Sequence, residues 1–548
     1  MSKSSNSKSE RPSVARAAGR MGLATLCSRV LGLVREQVFA FLFGASNAAD
    51  AFNIAFRIPN LLRDLFAEGA MSAAFIPNFT KALAESRAAA FRLLAGVLSV
   101  LFVLVTLVSI VGIAFSPELV RLYASSFSEV PGKLELTAGL TQLMFPFFPM
   151  IAVAAVLMGA LNALGYFFVP AFAPVLFNVA SIVCGLLLAP WFARTNYIPP
   201  IYSMAIGVLL GGFLQFYVQW RQLKKEGFSL ARELDVLFKP LQVPGVKKVL
   251  WLVVPGTVGL AATQLGILIN SIYATGAGTS AVSWLNYAFR LMQFPIGIFG
   301  VSLAAATLPQ VARKLAAHDR LGAGQELNAS LRMSFAVNGP AAAGLMALGL
   351  PIIQLLFEHG KFQYVDSQAT AQAVFWYAAG LPGYSVVKVV VPTFYALGVT
   401  QIPVAVSFLM VALNAGLNHL FLEVLHYPFW SLALATSISA TLNAVILVIL
   451  LSRFLPQILN LRLLKAVFLH AVVSLVIAGL IGLFLRTAAP LEPIFVSLQG
   501  GKILFWGLEV GFSIFVAALL WIGLGRMLKI EENEKAFEFV KKRLRRSK

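Results

Sequence analysis

The chain has 548 residues, of which 59% are hydrophobic and only 12% are charged, and its net charge is +20. Soluble domains average roughly 25% charged residues, so this composition excludes an ordinary soluble enzyme. A nucleic-acid-binding protein is excluded as well, because it needs a basic soluble face and the basic residues here lie in short loops between apolar runs.

The first twenty or so residues are polar and basic, and the apolar segment after them has no A-x-A-type cleavage site, so we expect no cleaved signal peptide. Beyond them, apolar runs recur that are long enough, at ~18 or more residues, to cross a membrane as helices. The predicted fold class is an all-α, polytopic integral membrane protein. It has fourteen spans, at about 17–45, 48–80, 93–115, 136–163, 169–192, 199–221, 247–274, 281–312, 327–357, 367–397, 402–425, 428–454, 462–486 and 500–526.

The distribution of Lys and Arg predicts the orientation of these spans. Basic residues concentrate in the N-terminus, in the even-numbered connections and in the tail KKRLRRSK, whereas odd-numbered connections are poorer in them. Cytoplasmic loops carry an excess of Lys and Arg. Both termini are therefore expected in the cytoplasm, and the number of spans is even.

Two sequence matches share one offset. NIAFR at 53–57 recurs as NYAFR at 286–290, and ALG at 163–165 recurs as ALG at 396–398; the offset is 286 − 53 = 233 in the first match and 396 − 163 = 233 in the second. An offset of six spans predicts two six-helix lobes in a parallel pseudo-twofold repeat. The predicted domains are a cytoplasmic N-terminus (1–20), an N-lobe (21–226), a cytoplasmic linker (227–246), a C-lobe (247–456), two extra helices (457–527) and a cytoplasmic basic tail (528–548).

Five arginines lie inside the predicted spans: Arg29, Arg35, Arg57, Arg63 and Arg290. An ionisable group at bilayer depth costs at least ~2.5–3.5 kcal/mol on insertion scales, so it usually faces a watery cavity and marks a substrate path. The planar guanidinium fork matches phosphate and carboxylate groups. The sequence therefore predicts an anionic cargo.

The second span carries a polar stripe. Its members recur every three or four residues and so share one helix face; they are Asp50, Asn53, Arg57, Asn60, Asp64 and Glu68. With Glu36 in the first span, these acids offset most of the arginine charge. The alternative interpretation is that the charges form ion pairs between helices, with some arginines reaching the span ends.

Other polar groups give weaker indications. Asn414 and Asn418 lie one turn apart and fit either a site for a coupling ion or hydrogen bonds between packed helices. The sequence has no P-loop, no G-x-S-x-G and no H-E-x-x-H motif, so we expect neither an enzyme nor a cofactor. Cys27 and Cys184 lie in apolar spans without metal-ligand spacing.

The runs SRVLGLVRE, AADAFNIAFRIPNLLRDLFAEGAMSAAFIPNF and NYAFRLMQFPIGIFGVSLAAATLPQ resemble the MurJ (MviN) family. Its members are lipid II flippases of bacterial peptidoglycan synthesis, within the MOP exporter superfamily. The resemblance implies a V-shaped pair of six-helix lobes around a cationic cavity. It also implies that the two extra helices extend a hydrophobic groove for the undecaprenyl chain.

The resemblance assigns roles to individual residues. It implies that Arg29, Arg35, Arg63 and Arg290 are cavity arginines, with Glu36, Asp50 and Glu68 as the acidic positions; Arg57 joins this substrate-binding set. Two departures stand out. Phe289 and Gln293 replace acids that many relatives carry beside the eighth-span arginine. Asn270 and Asn418 stand where the family has acidic cation ligands, so a coupling ion (sodium or proton) or the membrane potential stays open.

The expected function is translocation of lipid II from the cytoplasmic to the outer leaflet of the inner membrane by alternating access. Expected partners are the undecaprenyl-diphosphate-linked muropeptide, membrane lipids and other cell-wall synthesis proteins, with no nucleic acid. Two alternatives remain at this point. One is an exporter of another lipid-linked oligosaccharide or of small molecules. The other is a non-transporting membrane scaffold for cell-wall enzymes, which would not need charges inside its spans.

Overall fold

The computed structural model describes residues 14–66, 70–496 and 501–534. These residues form helices joined by short connections, with no strand among them, so the predicted all-α class is confirmed. They divide into two compact units. The first holds the described residues of Met1–Leu42, Ile54–Leu122 and Val130–Ala261, and the second those of Phe43–Asn53, Tyr123–Glu129 and Ala262–Lys548. The predicted domain boundaries stay predictions.

Eleven helices cover the described residues up to Gly276. They are α1 (Val14–Phe43), α2 (Asn47–Phe66), α3 (Ala70–Glu85), α4 (Arg87–Ala114), α5 (Ser116–Tyr123), α6 (Lys133–Met144), α7 (Phe147–Ala163), α8 (Phe168–Thr195), α9 (Tyr202–Lys225), α10 (Leu234–Phe238) and α11 (Val246–Gly276). Three single 3₁₀ turns, Ser125–Glu129, Leu230–Arg232 and Pro240–Gln242, lie in the connections.

Ten more helices cover the described remainder. They are α12 (Ala281–Pro295), α13 (Val301–Ala316), α14 (Arg320–Phe357), α15 (Tyr364–Ala379), α16 (Leu381–Ala396), α17 (Gln401–His419), α18 (Ser431–Ser452), α19 (Leu461–Ala488), α20 (Glu492–Val496) and α21 (Gly501–Met527). A π-helical turn, Ile296–Gly300, joins α12 to α13, and another, Leu420–Val424, extends α17. Ala489–Leu491 forms a 3₁₀ turn before α20.

The number of spans differs from the sequence expectation. Within the described residues, ten helical stretches are long and apolar enough to cross a membrane, and the pair α15–α16, bent by 45°, makes an eleventh. They correspond to the predicted spans three to six and eight to fourteen. The remaining three predicted spans coincide with α1, with α2 and α3, and with α11, so the total of fourteen stays a prediction.

Two helices that begin one repeat offset apart are capped in the same way. α4 starts at Arg87 and α14 at Arg320. The Ser86 hydroxyl accepts a hydrogen bond from the Ala89 amide at 3.0 Å, and the Asp319 carboxylate accepts one from the Gly322 amide at 2.7 Å. Such caps satisfy first-turn amides that lack a partner in the helix. The two capping residues are separated by the same offset as the sequence matches.

The ends of α7 and α16 repeat as well. Gly165 and Gly398, one residue beyond each helix's C-cap, have positive φ angles of 89° and 75°. The next amides, of Tyr166 and Val399, donate to carbonyls five residues earlier at 2.8 and 3.0 Å. This is the glycine-based helix stop, which needs a left-handed residue. The recurrence of start and stop signals at one offset supports the duplication.

In the first unit, glycines on α9 let α8 pack closely. A Cβ atom on Gly207 would lie 2.8 Å from the Ser181 backbone, and one on Gly211 would lie 2.6 Å from the Phe177 ring. Small residues at such crossings let two helix backbones approach each other in an apolar medium. The Phe177 ring can lie beside α1 and α2 because Gly207 and Gly211 of α9 have no side chain that would clash with α8.

In the second unit, the residues that follow α21 fold back onto α14 and α19. Ile530 is buried with Leu348, Val473 and Ile477 in one apolar cluster. Beside it, the Arg332 guanidinium of α14 pairs with the carboxylates of Glu532 and Glu531.

The buried ring of His470 on α19 lies 3.7 Å from Glu532. Burial opposes ionisation of Glu532, but the neighbouring His470 and Arg332 outweigh it and hold the pKa of that carboxyl below its usual value. Its stabilisation is therefore present at neutral pH and is lost as the pH falls through that lowered pKa.

Replacing Glu532 should loosen this contact more than replacing its neighbour. We expect Glu532→Gln to cost up to ~3 kcal/mol, the low end for a buried ion pair that loses one partner, because Glu531 still faces Arg332. Thermal unfolding of the purified protein in detergent measures the difference. Glu531→Gln is the matched control, since its side chain is 57% exposed and such pairs contribute ~0–1 kcal/mol. Equal losses in both variants would contradict the importance of the buried pair.

Candidate functional site

The carboxylate of Asp50 caps a helix that is distant in sequence. Its two oxygens accept hydrogen bonds from the Ser280 amide at 2.9 Å, the Ser283 amide at 3.0 Å and the Ser283 hydroxyl at 2.6 Å. Ser280, the N-cap residue of α12, has a φ of 70° and makes no capping bond with its own side chain. Asp50 has 0% exposure and places negative charge at the positive end of the α12 dipole. Its predicted role in binding substrate stays a prediction.

The next turn of α2 repeats the contact. Asn286 donates from Nδ2 to Oδ1 of Asn53 at 2.9 Å, and Asn53 donates to the Ser283 hydroxyl at 3.3 Å. Asn53 and Asn286, like Asp50 and Ser283, are separated by the repeat offset of 233 residues. The polar stripe of the second predicted span is thus partly used to hold α12.

Further polar groups, which no pattern in the sequence indicates, hold α12 in place. The Tyr287 hydroxyl donates to the Gly44 carbonyl at 3.1 Å, and Trp284 Nε1 donates to the Asp366 carboxylate at 3.0 Å. Gly44 has a φ of 61°, and a Cβ atom there would lie 2.5 Å from the Lys361 carbonyl oxygen, so this turn requires glycine. No motif or periodicity marks Trp284 or Asp366, because they meet only through tertiary packing.

Arg290 lies on the same helix, two turns beyond Ser283, with an exposed side chain. The preceding residue, Phe289, packs edge-on against Tyr377 with the ring centroids 5.5 Å apart. The position where the family resemblance implies an acid is therefore filled here by an aromatic contact. Gln293, one turn after Arg290, is exposed. The structure thus gives the first departure from the family pattern a packing role.

In the first unit, α1 presents a paired arginine. Arg35 donates to the buried Glu36 carboxylate at 2.6 Å, and its guanidinium carbon lies 5.3 Å from the centroid of the Phe177 ring. A cation over an aromatic face is stabilised by the ring quadrupole. Phe177 also stacks on Phe56 of α2 at 6.5 Å. Phe177 therefore contacts both arginine-bearing helices, although the sequence shows it only as one apolar residue of a span.

The other predicted arginines of this unit differ in environment. Arg63 donates to the adjacent Asp64 carboxylate at 2.7 and 3.1 Å, and both side chains are half-buried. Arg57 is half-buried and Arg29 is exposed. The Arg35–Glu36 and Arg63–Asp64 pairs each join neighbouring residues of one helix. Glu68 lies outside the described residues.

The candidate ion ligands form an amide cluster on two helices, α11 and α17. Asn418 donates from Nδ2 to Asn270 Oδ1 at 2.8 Å and to Asn414 Oδ1 at 3.2 Å. Asn270 in turn donates to the Thr436 hydroxyl at 3.4 Å. The described residues contain no group of three or more His, Cys, Asp or Glu side chains that could hold a metal ion. The cluster is a neutral network that ties α11, α17 and α18 together.

An apolar cavity of about 610 Å³ lies among α14, α15, α16 and α19 of the second unit. Its lining includes Phe335, Met346, Phe375 and Leu475, and its polar groups include His470 and Ser474. Its shape and lining suit a hydrocarbon ligand, because such sites are concave and mostly apolar.

Neutralising Asp50 should loosen the start of α12. Asp50→Asn keeps the size of the side chain but loses the charge, and hydrogen bonds to charged groups contribute ~1.5–3 kcal/mol. We expect a lower unfolding temperature and faster hydrogen exchange of the first-turn amides of α12, measured by mass spectrometry. Asp64→Asn, at a half-buried position, is the control and should leave α12 exchange unchanged. Unaltered exchange in Asp50→Asn would contradict the capping role.

Comparison with known proteins supports one family. A family model described as lipid II flippase MurJ matches residues 39–498. The chain is 37% identical over 424 residues to a lipid II flippase MurJ of Burkholderia cenocepacia, covering 77% of this chain and 81% of that protein. It is 36% identical over 434 residues to a probable lipid II flippase MurJ of Vibrio cholerae, covering 77% and 80%.

Solved structures agree on the fold. A lipid II flippase MurJ in an inward closed conformation superposes with a TM-score of 0.75 at 23% identity, covering 93% of this chain and 99% of that one. An inward-facing multidrug resistance MATE family transporter of the MOP superfamily gives a TM-score of 0.61 at 16% identity, covering 80% and 97%. By its sequence matches, the chain belongs to the MurJ family of multi-pass membrane transporters, which are not enzymes.

Proposed function

We propose that this protein moves lipid II, an undecaprenyl-diphosphate-linked muropeptide, from the cytoplasmic to the outer leaflet of the bacterial inner membrane by alternating access. The observation that carries the proposal is the set of arginines on α1, α2 and α12. The family to which the chain belongs is named for this activity. Arg29 on α1 of the first unit and Arg290 on α12 of the second are exposed. Such cations are expensive in a membrane unless they serve a polar cargo.

The arginines fit a diphosphate better than a neutral or cationic cargo. A guanidinium can offer two parallel N–H donors to phosphate oxygens, which adds geometric selectivity to the charge. Arg35 is oriented by Glu36 and by the Phe177 ring. Because the Glu36 carboxylate partly neutralises Arg35, the free-energy cost of placing this cation in the membrane is lower. The same pairing keeps the binding of the diphosphate weak enough for its release at the outer leaflet. No covalent step is needed. Export of a cationic drug would be disfavoured by the same charges.

The apolar cavity of the second unit supports a lipid-linked cargo. A long prenyl chain cannot cross an aqueous path without a large hydrophobic cost, so it must stay against apolar surface while the headgroup moves. The cavity of about 610 Å³ lined by α14 and α19 offers such a surface. α19 belongs to the C-terminal part of the chain that lies outside the repeat, consistent with an added role in lipid contact.

We place both termini in the cytoplasm and include other cell-wall synthesis proteins among the partners. The orientation rests on the excess of Lys and Arg at both ends and in the even-numbered connections. A partner in cell-wall synthesis would supply the lipid-linked cargo on one side or consume it on the other. The expectation of such partners rests on the cargo being a lipid-linked precursor that other proteins must make and use.

We further propose that sodium bound at the amide cluster does not drive the transport cycle. A cation site needs several free oxygens and gains most of its affinity from carboxylates. Here the oxygens of Asn270 and Asn414 already accept hydrogen bonds from Asn418. Among the described side chains of this cluster, Asn418 Oδ1 is the buried amide oxygen that accepts no hydrogen bond. The membrane potential, or protons acting elsewhere, would then reset the protein.

Loss of single arginines should slow transport strongly without loss of the protein. Ala at Arg29, Arg35, Arg63 or Arg290 removes charge-assisted bonds of ~1.5–3 kcal/mol each, or about 10- to 150-fold in rate. Lys should rescue only partly, because it offers a point charge. The measurement is the sidedness of lipid II in proteoliposomes, normalised to inserted protein. Arg194→Ala, an exposed position at the end of α8, is the control. Variants that transport at the wild-type rate would refute the assignment.

Replacing sodium should not slow this transporter. We expect equal initial rates of lipid II translocation in sodium and in potassium media at a fixed membrane potential. The double substitution Asn270→Asp with Asn418→Asp should create a sodium-sensitive rate, because it supplies two carboxylates beside the Asn414 and Thr436 oxygens. A wild-type rate that falls more than about twofold without sodium would overturn the proposal on coupling and leave that on cargo intact.

A further inference from the structure

The connection between α9 and α11 is held tightly against α4. Arg92 of α4 pairs with the Asp235 carboxylate at 2.6 Å and approaches Glu233 at 3.9 Å. The Ser99 hydroxyl donates to the Leu237 carbonyl at 2.9 Å, and Val236 and Val243 are buried. All these groups belong to the first unit. Residues 230–251, the basic strap, are therefore fixed along α4 rather than forming a free loop.

A glycine makes this close approach feasible. A Cβ atom on Gly96 would lie 2.7 Å from Val246 and 3.4 Å from the Pro240 carbonyl oxygen. The basic strap thus follows α4 from Arg92 to Ser99, a rise of about 10 Å at ~1.5 Å per residue. α4 is one of the membrane-spanning candidates and begins at Arg87. The basic strap therefore runs along the N-terminal part of a membrane-spanning candidate, near one end of that helix.

The outer face of the basic strap is apolar. Phe238 is 85% exposed and Trp251 is 77% exposed, and Leu234 and Leu241 are exposed beside them. Aromatic side chains at such positions are enriched where a membrane meets water. A segment held rigidly by its inner face has no means of burying these groups within its own unit. Something outside the unit has to cover them.

The charge of the outer face of the basic strap indicates which kind of molecule covers it. The acids Glu233 and Asp235 are engaged by Arg92, whereas Lys239, Lys247 and Lys248 are exposed. Large apolar side chains interleaved with basic groups are the pattern of segments that lie in the plane of an anionic membrane surface. A protein partner would need a complementary acidic face, and nothing on the described residues of this strap prefers it over lipid.

We propose that the basic strap is a binding site for anionic phospholipid: Phe238 and Trp251 enter the acyl boundary, and Lys239, Lys247 and Lys248 bind the headgroup phosphates. The site is distinct from the arginines of α1, α2 and α12, and it takes bulk membrane lipid rather than transported cargo. It anchors the connection that leads into α11 at one leaflet. Its existence does not depend on which molecule the protein transports.

The test uses the full-length protein in liposomes. A bimane label is placed by Phe238→Cys in a background with Cys27→Ser and Cys184→Ser, the two native cysteines. Phosphatidylcholine liposomes contain an equal minor fraction of either brominated phosphatidylglycerol or brominated phosphatidylcholine as quencher. We expect at least about threefold stronger quenching by the anionic lipid, weak quenching by aqueous iodide, and loss of the preference near 1 M salt, where the Debye length is ~3 Å.

Charge variants separate binding from general attraction. The triple substitution of Lys239, Lys247 and Lys248 to Gln should remove the preference, since each basic group near an anionic surface contributes about fivefold. The control is the triple substitution of Arg121, Arg194 and Lys361 to Gln, which removes equal charge from exposed positions outside the basic strap. It should leave the preference for anionic lipid unchanged. Should Phe238→Cys disturb the strap, Trp251→Cys carries the same label. Equal quenching by both lipids, or strong quenching by iodide, would overturn the proposal.

Discussion

The carboxylate of Asp50 is fully buried at the first turn of α12, where it accepts three hydrogen bonds. A charge in that position is stable only because the helix end supplies unpaired amides and the positive end of a dipole. The capped turn fixes the direction of α12, and Arg290 follows on the same helix. Asn53, Tyr287 and Trp284 complete the attachment through hydrogen bonds. The geometry of the eighth-span arginine therefore depends on a carboxylate in the first turn of α2, far earlier in the chain.

The same requirement governs the other polar groups of the helices. In an apolar medium each donor, acceptor or charge has to be satisfied within the protein. Arg35 is held by the adjacent Glu36 and by an aromatic ring, and Arg332 is held by the carboxylates after α21. The three asparagines near Thr436 satisfy one another without any charge. Asp50 is fully buried, whereas Arg29 and Arg290 are exposed.

The two copies of the repeat share some structural features, and each also has segments that the other lacks. Helix starts, side-chain N-caps and glycine stops recur at the repeat offset, because they define the scaffold. The additions differ. The first unit carries the basic strap that follows α9, and the second carries α19 to α21 with an apolar cavity beside α14. The additions carry exposed apolar surface and basic charge that the repeated scaffold does not supply.

Composition, apolar run lengths and the repeated NxAFR and ALG segments were enough to predict an all-α membrane protein, its helix order and its duplication. Each of these properties is local or periodic, and a bilayer admits few ways of satisfying a helical backbone. The polar stripe was also visible, because Asp50 and Arg57 share one helix face. What each member of the stripe contacts was not predictable. Only tertiary packing brought Asp50 to α12, Phe177 to Arg35 and Asp366 to Trp284, because these contacts depend on distances between segments far apart in the chain, which no local or periodic pattern indicates.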